Sequence, residues 1–374
     1  MYIHNRLENK INFFKKIKQL DFILLLCILF LGILSFATMY SIDGGQILFY
    51  TKSHFIKFLI FSVLMLVISL INIRLWFSLS YLVYFILVLM LIWTINFGIT
   101  VSGSQRWMDL YFVNIQPSEL MKIAIILCLA KYFHRMRLEN VNSFYSIITS
   151  LIIIFVPMSL VIIQPDLGTS ILISISGIIV LWFVGLNHKY FFYSFLISVV
   201  SLPFIISFLK PYQKLRILTF LNPDRDPLGA GYQIIQSKIA VGSGGLTGKG
   251  FLKGTQSYLE FLPEKHTDFI FTIFSEEFGF LGSLLLLLVY VVVIYRVIWI
   301  GTISRSYFAK IFCYSFGSAI FVFVTINMFM VLGMLPIVGS PLPIMSYGGS
   351  SMLATMIGFG IVMSAKVHNH QSIA

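Results

Sequence analysis

The fold is decided by a charge-free stretch near the N-terminus, FILLLCILFLGILSFATMY, which occupies residues 22–40. A helix needs about 20 mostly apolar residues to cross a bilayer core that is about 30 Å thick. The stretch is longer than the apolar core of a cleaved signal peptide, about 7 to 15 residues, and it lacks a clear small-x-small cleavage site. It therefore predicts a membrane-spanning signal anchor.

Segments of the same kind continue along the whole chain. Hydrophobic residues make up 58% of the 374 and charged residues only 11%, whereas a soluble domain has about 25% charged residues. We therefore predict an all-α polytopic membrane protein of about ten transmembrane helices, organised as one membrane domain over residues 1–374. The ten expected spans lie near residues 21–41, 54–73, 75–97, 115–134, 145–164, 167–187, 190–209, 278–300, 310–335 and 347–366.

The basic residues orient these spans. The formal net charge is +12. Fourteen Lys and Arg residues fall in the short segments on one side, and three, Lys52, Lys57 and Arg106, fall in those on the other. Cytoplasmic segments of membrane proteins carry the excess of Lys and Arg. Both termini are thus predicted to be cytoplasmic, with a basic N-terminal segment at residues 1–20 and a tail at residues 367–374.

One long segment interrupts the pattern. Residues 210–267 contain no spanning apolar run and are predicted to form a long extracytoplasmic loop between the seventh and eighth helices. Eight Lys and Arg against four Asp and Glu give this loop a net charge of +4. It is either a solvated loop that touches anionic headgroups or a cationic surface that holds an anionic, lipid-linked substrate.

Two charged residues stand out inside the fourth span, in the stretch QPSELMK at residues 116–122. Ionisable residues are expensive within a membrane, so each is a candidate for function. Pro117 suits the first helical turn, and Glu119 and Lys122 are three residues apart on one helix face, where they can pair. The pair either orients the helix or takes a direct part in the site.

Asp268 lies where the long loop returns to the membrane, in the stretch FLPEKHTDFIF at residues 261–271. It follows a cation, Lys265, and an imidazole, His266, and precedes apolar residues. A carboxylate that is partly desolvated but reachable from the outer surface suits a general base acting on a hydroxyl of a lipid-linked substrate. The alternative is a helix cap, because Asp is a preferred N-cap residue and a helix begins about here.

Two further stretches break the helical pattern. The run GSGGLTGKG at residues 242–250 fails the phosphate-binding P-loop pattern at two positions, although its backbone amides could form an anion-binding nest. Residues 333–351 hold three prolines and repeated glycines, so they cannot continue a lipid-exposed helix and must be buried or line a cavity. Cys27, Cys128 and Cys313 all lie in apolar runs, which favours neither disulfides nor a thiolate metal site.

Several of these stretches, in this order, resemble the SEDS family (shape, elongation, division and sporulation), and the similarity extends from the first helix to the last. Three motifs, QPDLGT at residues 164–169, PEKHTD at residues 263–268 and GSPLP at residues 339–343, resemble its rod-shape elongation branch more than its division branch. The stretches that carry the resemblance are GSQRW at residues 103–107, QPSELMK, QPDLGTS at residues 164–170, residues 222–254, FLPEKHTDFIF and residues 335–351.

The resemblance implies a peptidoglycan glycosyltransferase of the bacterial cytoplasmic (inner) membrane that polymerises lipid II, an undecaprenyl-pyrophosphate-linked disaccharide pentapeptide. Asp268 would then be the catalytic base on the acceptor GlcNAc 4-hydroxyl, and Glu119 and Lys122 would match a pair needed for activity. Cations can stabilise charge on the pyrophosphate leaving group. The candidates for this are Arg106, Lys214, Arg216, Lys249, Lys265 and His266.

The implied partners are a class B penicillin-binding protein with transpeptidase activity, the elongation machinery and membrane lipid, with no nucleic acid. No metal site and no tightly bound cofactor are expected, and dependence on a divalent cation stays open. Two other functions remain: a lipid II flippase or transporter, which would favour midplane charges and an inverted repeat, and a non-catalytic scaffold of the elongation complex.

Overall fold

The computed structural model describes residues 13–101, 104–109, 114–208, 211–225, 229–255 and 264–370. Parts of four predicted segments lie outside these ranges: residues 1–12 of the N-terminal segment, residue 209 of the seventh span, residues 210, 226–228 and 256–263 of the long loop, and residues 371–374 of the tail. The described chain is largely helical. Its helices are α1 (Phe13–Lys18), α2 (Phe22–Ile42), α3 (Phe49–Leu70), α4 (Ile73–Phe97), α5 (Pro117–His134), α6 (Phe144–Ile163), α7 (Leu167–Val184), α8 (His188–Phe208), α9 (Pro211–Leu221), α10 (Ala230–Ser243), α11 (Ile270–Ile303), α12 (Tyr307–Val331) and α13 (Gly349–Val367).

Ten of these helices, α2 to α8 and α11 to α13, lie at the positions of the ten predicted spans. Within the described ranges, eight are long and apolar enough to cross a membrane, and α5 and α8 are the two not among them. Helix α5 carries Glu119, Lys122 and Lys131 within 18 residues, which lowers its hydropathy. The chain is therefore a multi-pass membrane protein of the predicted all-α class.

Helix α5 lies at the centre of the bundle. It packs against α4, α7, α12 and α13, and most of its residues are buried, including the charged residues Glu119 and Lys122. A membrane helix that is surrounded by other helices can carry polar groups because the protein, and not lipid, is their neighbour. The position of α5 thus explains how the ion pair is tolerated.

Helix α11 begins eight residues before the predicted start of the eighth span. The predicted span began only after Glu276 and Glu277, but both carboxylates are buried in the helix and have partners. The helix is broken at Gly279, where φ is 66° and ψ is −161°. A positive φ is readily adopted only by glycine, and a Cβ there would lie 2.2 Å from the backbone nitrogen of Gly248.

A small antiparallel sheet, which the sequence did not predict, connects α4 to α5. Its strands are β1 (Ile99–Val101), β2 (Ser104–Asp109) and β3 (Asn114–Ile115), in the order β1-β2-β3. Ile99 pairs with Trp107, and Met108 pairs with Ile115. Arg106 lies on the central strand β2, which contacts α5.

The segment between α12 and α13 packs against the start of α7. It also lines a cavity with Ser340, Pro341 and Pro343, as its prolines and glycines predicted. A Cβ on Gly168, in the first turn of α7, would lie 1.9 Å from the carbonyl oxygen of Val338. No side chain fits at that distance unless one of the two backbones moves. We call residues 332–348 the re-entrant segment.

We expect Gly168→Ala to destabilise the protein by about 1–3 kcal/mol, the usual cost of overpacking a tight contact. The measurement is the Tm of the detergent-purified protein. Gly242→Ala is the matched control, because a Cβ on Gly242 in α10 meets nothing within 4 Å. A Gly168→Ala variant with the same Tm as the wild type would show that the re-entrant segment is not in tight contact with α7.

Candidate active site

Asp268 lies in a turn, residues 264–269, that leads directly into α11. The N–H groups of Thr267 and Phe269 both donate to the carbonyl of Glu264, at 3.2 and 3.3 Å. Phe269, not Asp268, is the N-cap residue of α11, and no side chain caps this helix. The helix-cap interpretation of Asp268 is therefore wrong, and its half-buried carboxylate is left for another role. We call residues 264–269 the Asp268 turn.

A buried amide fixes the backbone of Asp268. The Nδ2 group of Asn327, on α12, donates to the carbonyl of Asp268 at 3.0 Å and to that of Ser340 at 2.7 Å. Asn327 is completely buried. Without its amide, neither carbonyl would receive this hydrogen bond. The amide thus ties the Asp268 turn to the re-entrant segment.

Two more contacts join the Asp268 turn to the re-entrant segment. The hydroxyl of Ser346 donates to the carbonyl of Thr267 at 2.6 Å, and the N–H of Tyr347 donates to the carbonyl of His266 at 2.8 Å. A Cβ on Gly339 would lie 3.5 Å from the Asp268 carboxylate oxygen Oδ2. The re-entrant segment therefore forms one wall around the carboxylate.

The surroundings raise the pKa of Asp268 to about 7. Burial is the main cause, because it penalises the charged form, and the neighbouring carboxylate of Glu264 adds to it. Arg216 and Arg106 act in the opposite direction, and Asp166 raises the pKa slightly further. Asp268 is thus a carboxylate that exchanges a proton near neutral pH, with two guanidinium groups close enough to affect it.

Arg106 reaches this site from strand β2. Its Nη1 atom lies 2.8 Å from Oδ2 of Asp166, which also accepts a hydrogen bond of 3.2 Å from the Gln116 amide. The other oxygen of Asp166 caps α7 by accepting from the N–H of Thr169. The Nε of Arg106 is buried and has no hydrogen-bond partner among the described residues.

Arg216 and Lys214 both lie on α9, within the long loop, but in the described part of the chain only Arg216 contacts the re-entrant segment. The Nη1 of Arg216 donates to the carbonyl of Ile337 in the re-entrant segment at 3.1 Å. Lys214 donates instead to the carbonyl of Ser207 at the end of α8. Of these two cations, Arg216 is the one that acts on Asp268, and contact of either residue with a pyrophosphate stays a prediction.

The glycine-rich run does not form the anion-binding nest that the sequence suggested. The N–H groups of Lys249 and Gly250 each donate at 3.0 Å to carbonyls of α11, those of Glu276 and Glu277. The ammonium of Lys249 lies 2.6 Å from the carboxylate of Glu276. The run is therefore packed against the break in α11, and a role for Lys249 in pyrophosphate binding stays a prediction that this contact weakens.

Glu119 and Lys122 form the predicted ion pair inside the bundle. The Lys122 ammonium lies 2.9 Å from a Glu119 carboxylate oxygen, and each side chain is only 7% exposed. The pair faces a cavity of about 20 Å³ whose other walls include Ser340 and Pro341 of the re-entrant segment. Because Asn327 donates to the carbonyls of both Ser340 and Asp268, the ion pair and the Asp268 turn contact the same segment.

His266 lies in the Asp268 turn, and the sequence missed its partner. Its Nε2 atom lies 3.1 Å from Oδ1 of Asp43, at the end of α2. Lys265 is half-buried next to it and lowers the pKa of His266 slightly. The only sequence signal for Asp43 is a carboxylate in a short outer loop, which does not single it out.

Metal binding has no obvious centre here. Among the residues that the structure describes, no group of three or more His, Cys, Asp or Glu side chains is arranged to hold a metal ion. The arrangement can instead take a proton at Asp268 and hold an anion with Arg106 and Arg216.

These features define a class: a polytopic membrane protein with a titratable carboxylate and two guanidinium groups beside a re-entrant segment. The family model described as a cell cycle protein, shared by FtsW, RodA and SpoVE, matches residues 17–371. The chain belongs to this family, which confirms the resemblance seen in its motifs.

Individual relatives agree. The peptidoglycan glycosyltransferase MrdB of Escherichia coli K12 is 45% identical over 295 residues, 78% of each chain. A chain in the structure of a peptidoglycan synthase complex that coordinates polymerization and crosslinking superposes with a TM-score of 0.81 at 27% identity, covering 94% of this chain and 99% of the other. The rod shape-determining protein RodA of Thermus thermophilus superposes with a TM-score of 0.70 at 22% identity, over 94% of this chain and 98% of that one, which shows the shared fold.

Proposed function

We propose that this chain polymerises lipid II outside the cytoplasmic membrane, with Asp268 as the general base. The chain is a peptidoglycan glycosyltransferase by its family and its relatives. In the proposed step, the GlcNAc 4-hydroxyl oxygen of the acceptor attacks the anomeric carbon of the donor MurNAc. The new C–O bond forms as the bond to undecaprenyl pyrophosphate breaks, and the hydroxyl proton passes to Asp268.

The observation that carries this proposal is the raised pKa of Asp268, about 7, in a turn held rigid by the re-entrant segment. A general base is most effective when its pKa lies near the working pH. A carboxylate with an ordinary pKa is a weak base toward a sugar hydroxyl, so burial makes Asp268 suitable for the task.

The guanidinium groups of Arg106 and Arg216 supply the second requirement. The leaving group is a pyrophosphate, whose negative charge grows as the glycosidic bond breaks. Both groups act electrostatically on Asp268, which supports the proposal that they also face the leaving group. Fixed cations at such a position stabilise the transition state without reorganisation.

The proposed orientation follows from the charge pattern. The excess of Lys and Arg on one side supports cytoplasmic termini and an outer position for residues 210–267. Asp268 and the loop cations then face the outer surface of the bacterial inner membrane, where the disaccharide of a lipid-linked substrate would lie. Long loops cross membranes largely regardless of their charge, so the net +4 of this loop is compatible with that side.

A class B penicillin-binding protein is the proposed partner. A structural relative of this chain belongs to a peptidoglycan synthase complex in which polymerization and crosslinking are coordinated. A polymerase whose product is to be crosslinked benefits from a transpeptidase bound to it, within the elongation machinery.

The function is tested by incubating purified lipid II with the detergent-solubilised protein and its cognate penicillin-binding partner, whose transpeptidase site is blocked with penicillin. We expect glycan strands from the wild-type complex and none from the partner alone. Absence of strands from a folded, assembled complex would contradict the polymerase. Lipid II translocation by the chain in proteoliposomes would then favour a flippase, and its absence a scaffold.

We expect the polymerisation rate to rise about tenfold per pH unit below pH 7 and to level off above it, because Asp268 must be deprotonated to act as a base. The folded-state pKa of about 7 exceeds the ordinary 3.8. Asp268 therefore favours folding below about pH 4, and this contribution is lost as the pH rises through 7. The gain in rate thus does not come from greater stability.

The measurement is the initial rate of strand formation from pH 5 to 9, with the Tm recorded at each pH. A rate that stays flat down to pH 5, in protein that remains folded, would contradict a base with a pKa near 7.

A further inference from the structure

A second carboxylate, that of Asp43, contacts the Asp268 turn. Asp43 ends α2, and its side chain is only 5% exposed. Its Oδ2 accepts hydrogen bonds from the N–H of Thr51 at 3.2 Å and from the Thr51 hydroxyl at 2.6 Å, in the first turn of α3. Its Oδ1 lies 3.1 Å from Nε2 of His266. Asp43 therefore joins α2 and α3 to the turn that carries Asp268.

The imidazole of His266 is held in a single orientation. It stacks on Tyr50, with ring centroids 4.3 Å apart and planes 25° apart, while Nε2 faces Asp43. The backbone of His266 is fixed separately by the N–H of Tyr347. The side chain is 14% exposed, so the ring is largely enclosed but still reachable.

The contacts also determine which nitrogen of the ring faces Asp43. With Nε2 at the Asp43 carboxylate, Nδ1 is the remaining polar atom of the ring. A neutral imidazole carries one proton, which the carboxylate attracts to Nε2. Nδ1 then presents a lone pair, which accepts a hydrogen bond and cannot donate one.

The charged groups around the ring favour this neutral form. Burial is the largest effect and lowers the pKa of His266; the hydrogen bond and charge of Asp43 raise it, Lys265 lowers it and Glu264 raises it. The net shift is downward. At neutral pH the ring is therefore mostly uncharged, in agreement with the geometry.

We propose that Asp43 is a positioning residue for glycosyl transfer: it fixes the Nε2–H tautomer of His266, so that Nδ1 accepts a hydrogen bond from a sugar hydroxyl next to the one that Asp268 deprotonates. His266 precedes Asp268 by two residues in the same turn, and the proposal assigns both groups to one sugar. The inference rests on the proposed function, because it assumes a carbohydrate acceptor.

Two substitutions at His266 separate its two nitrogens. His266→Gln can keep an N–H near the Nε2 position for Asp43 but offers no acceptor at the Nδ1 position. His266→Asn places a carbonyl oxygen near the Nδ1 position but does not reach Asp43. We expect His266→Gln to keep the wild-type Tm and lose roughly tenfold or more in kcat, and His266→Asn to retain more activity than His266→Gln despite a lower Tm.

Asp43→Asn tests the tautomer. The Asn oxygen can still accept from Thr51, but its amide can donate to Nε2 and so move the ring proton to Nδ1. We expect a fall in kcat of roughly tenfold or more with little change in Tm. Thr51→Val is the control, since it removes one hydrogen bond of Asp43 without touching His266; we expect a lower Tm and an unchanged kcat per folded molecule.

The experiment is lipid II polymerisation by each variant in complex with the penicillin-binding partner, with kcat, KM and Tm recorded for each. Wild-type kcat in both His266→Gln and Asp43→Asn would overturn the proposal, as would a kcat that falls only in step with Tm across the series. If the wild type itself makes no strands, the proposed function has failed and not this inference alone.

Discussion

Asp268→Ala is expected to abolish glycan polymerisation while leaving the protein folded. Removal of a general base costs about 10²- to 10⁴-fold in rate, and the side chain caps no helix whose loss would unfold the site. Its removal also takes away a half-buried group whose pKa is raised to about 7. At neutral pH, a carboxylate whose pKa is raised in the folded state lowers the free energy of unfolding. The Tm of the variant should therefore equal or exceed that of the wild type.

The measurement is strand formation from lipid II by the complex with the penicillin-binding partner. Asp268→Asn is the second variant, because it keeps the size of the side chain and removes only its basicity, and it should be equally inactive. Asp224→Ala, which removes an exposed carboxylate of the same long loop, is the matched control and should polymerise as the wild type does. Strands from Asp268→Asn at the wild-type rate would remove Asp268 as the base and leave it at most a spatial role.

The helices could be predicted from the sequence because each span is a local property. A run of about 20 apolar residues, such as residues 22–40, is informative without any knowledge of its neighbours. The predicted eighth span began at residue 278, eight residues after the observed start of α11, for the opposite reason. Glu276 and Glu277 lower the local hydropathy, and only the folded structure shows that Lys249 and Ser41, distant in the chain, supply partners for them.

The same distinction applies to the site. Asp268 is recognisable from its place between a charged loop and an apolar run, and Glu119 and Lys122 from their spacing within one helix. Asp43 and Asn327 were missed because their roles depend on contacts with residues 223 and 59 positions away. The small sheet was missed as well, since strands of two to six residues give too short a pattern to read.

The ion pair on α5 yields the second large effect. We expect Lys122→Met to destabilise the protein by about 3–5 kcal/mol, because it leaves the carboxylate of Glu119 buried without its partner. Both side chains are only 7% exposed, so water cannot take the place of the ammonium. The cavity beside them, about 20 Å³ in volume, holds about one water molecule, too little to hydrate a carboxylate.

The double variant Glu119→Gln/Lys122→Met tests whether the ion pair only supports the re-entrant segment or takes part in glycosyl transfer. Replacing a buried ion pair by neutral groups of similar volume is often neutral or stabilising, so the Tm should return to about the wild-type value. If the pair only supports the re-entrant segment, through Ser340 and its link to Asp268, polymerisation should return with it, and this is the result we expect. The measurements are Tm and lipid II polymerisation for both single variants and the double. A double variant that is as stable as the wild type yet makes no strands would instead place Glu119 or Lys122 in the reaction itself, since restored folding would then have failed to restore the chemistry.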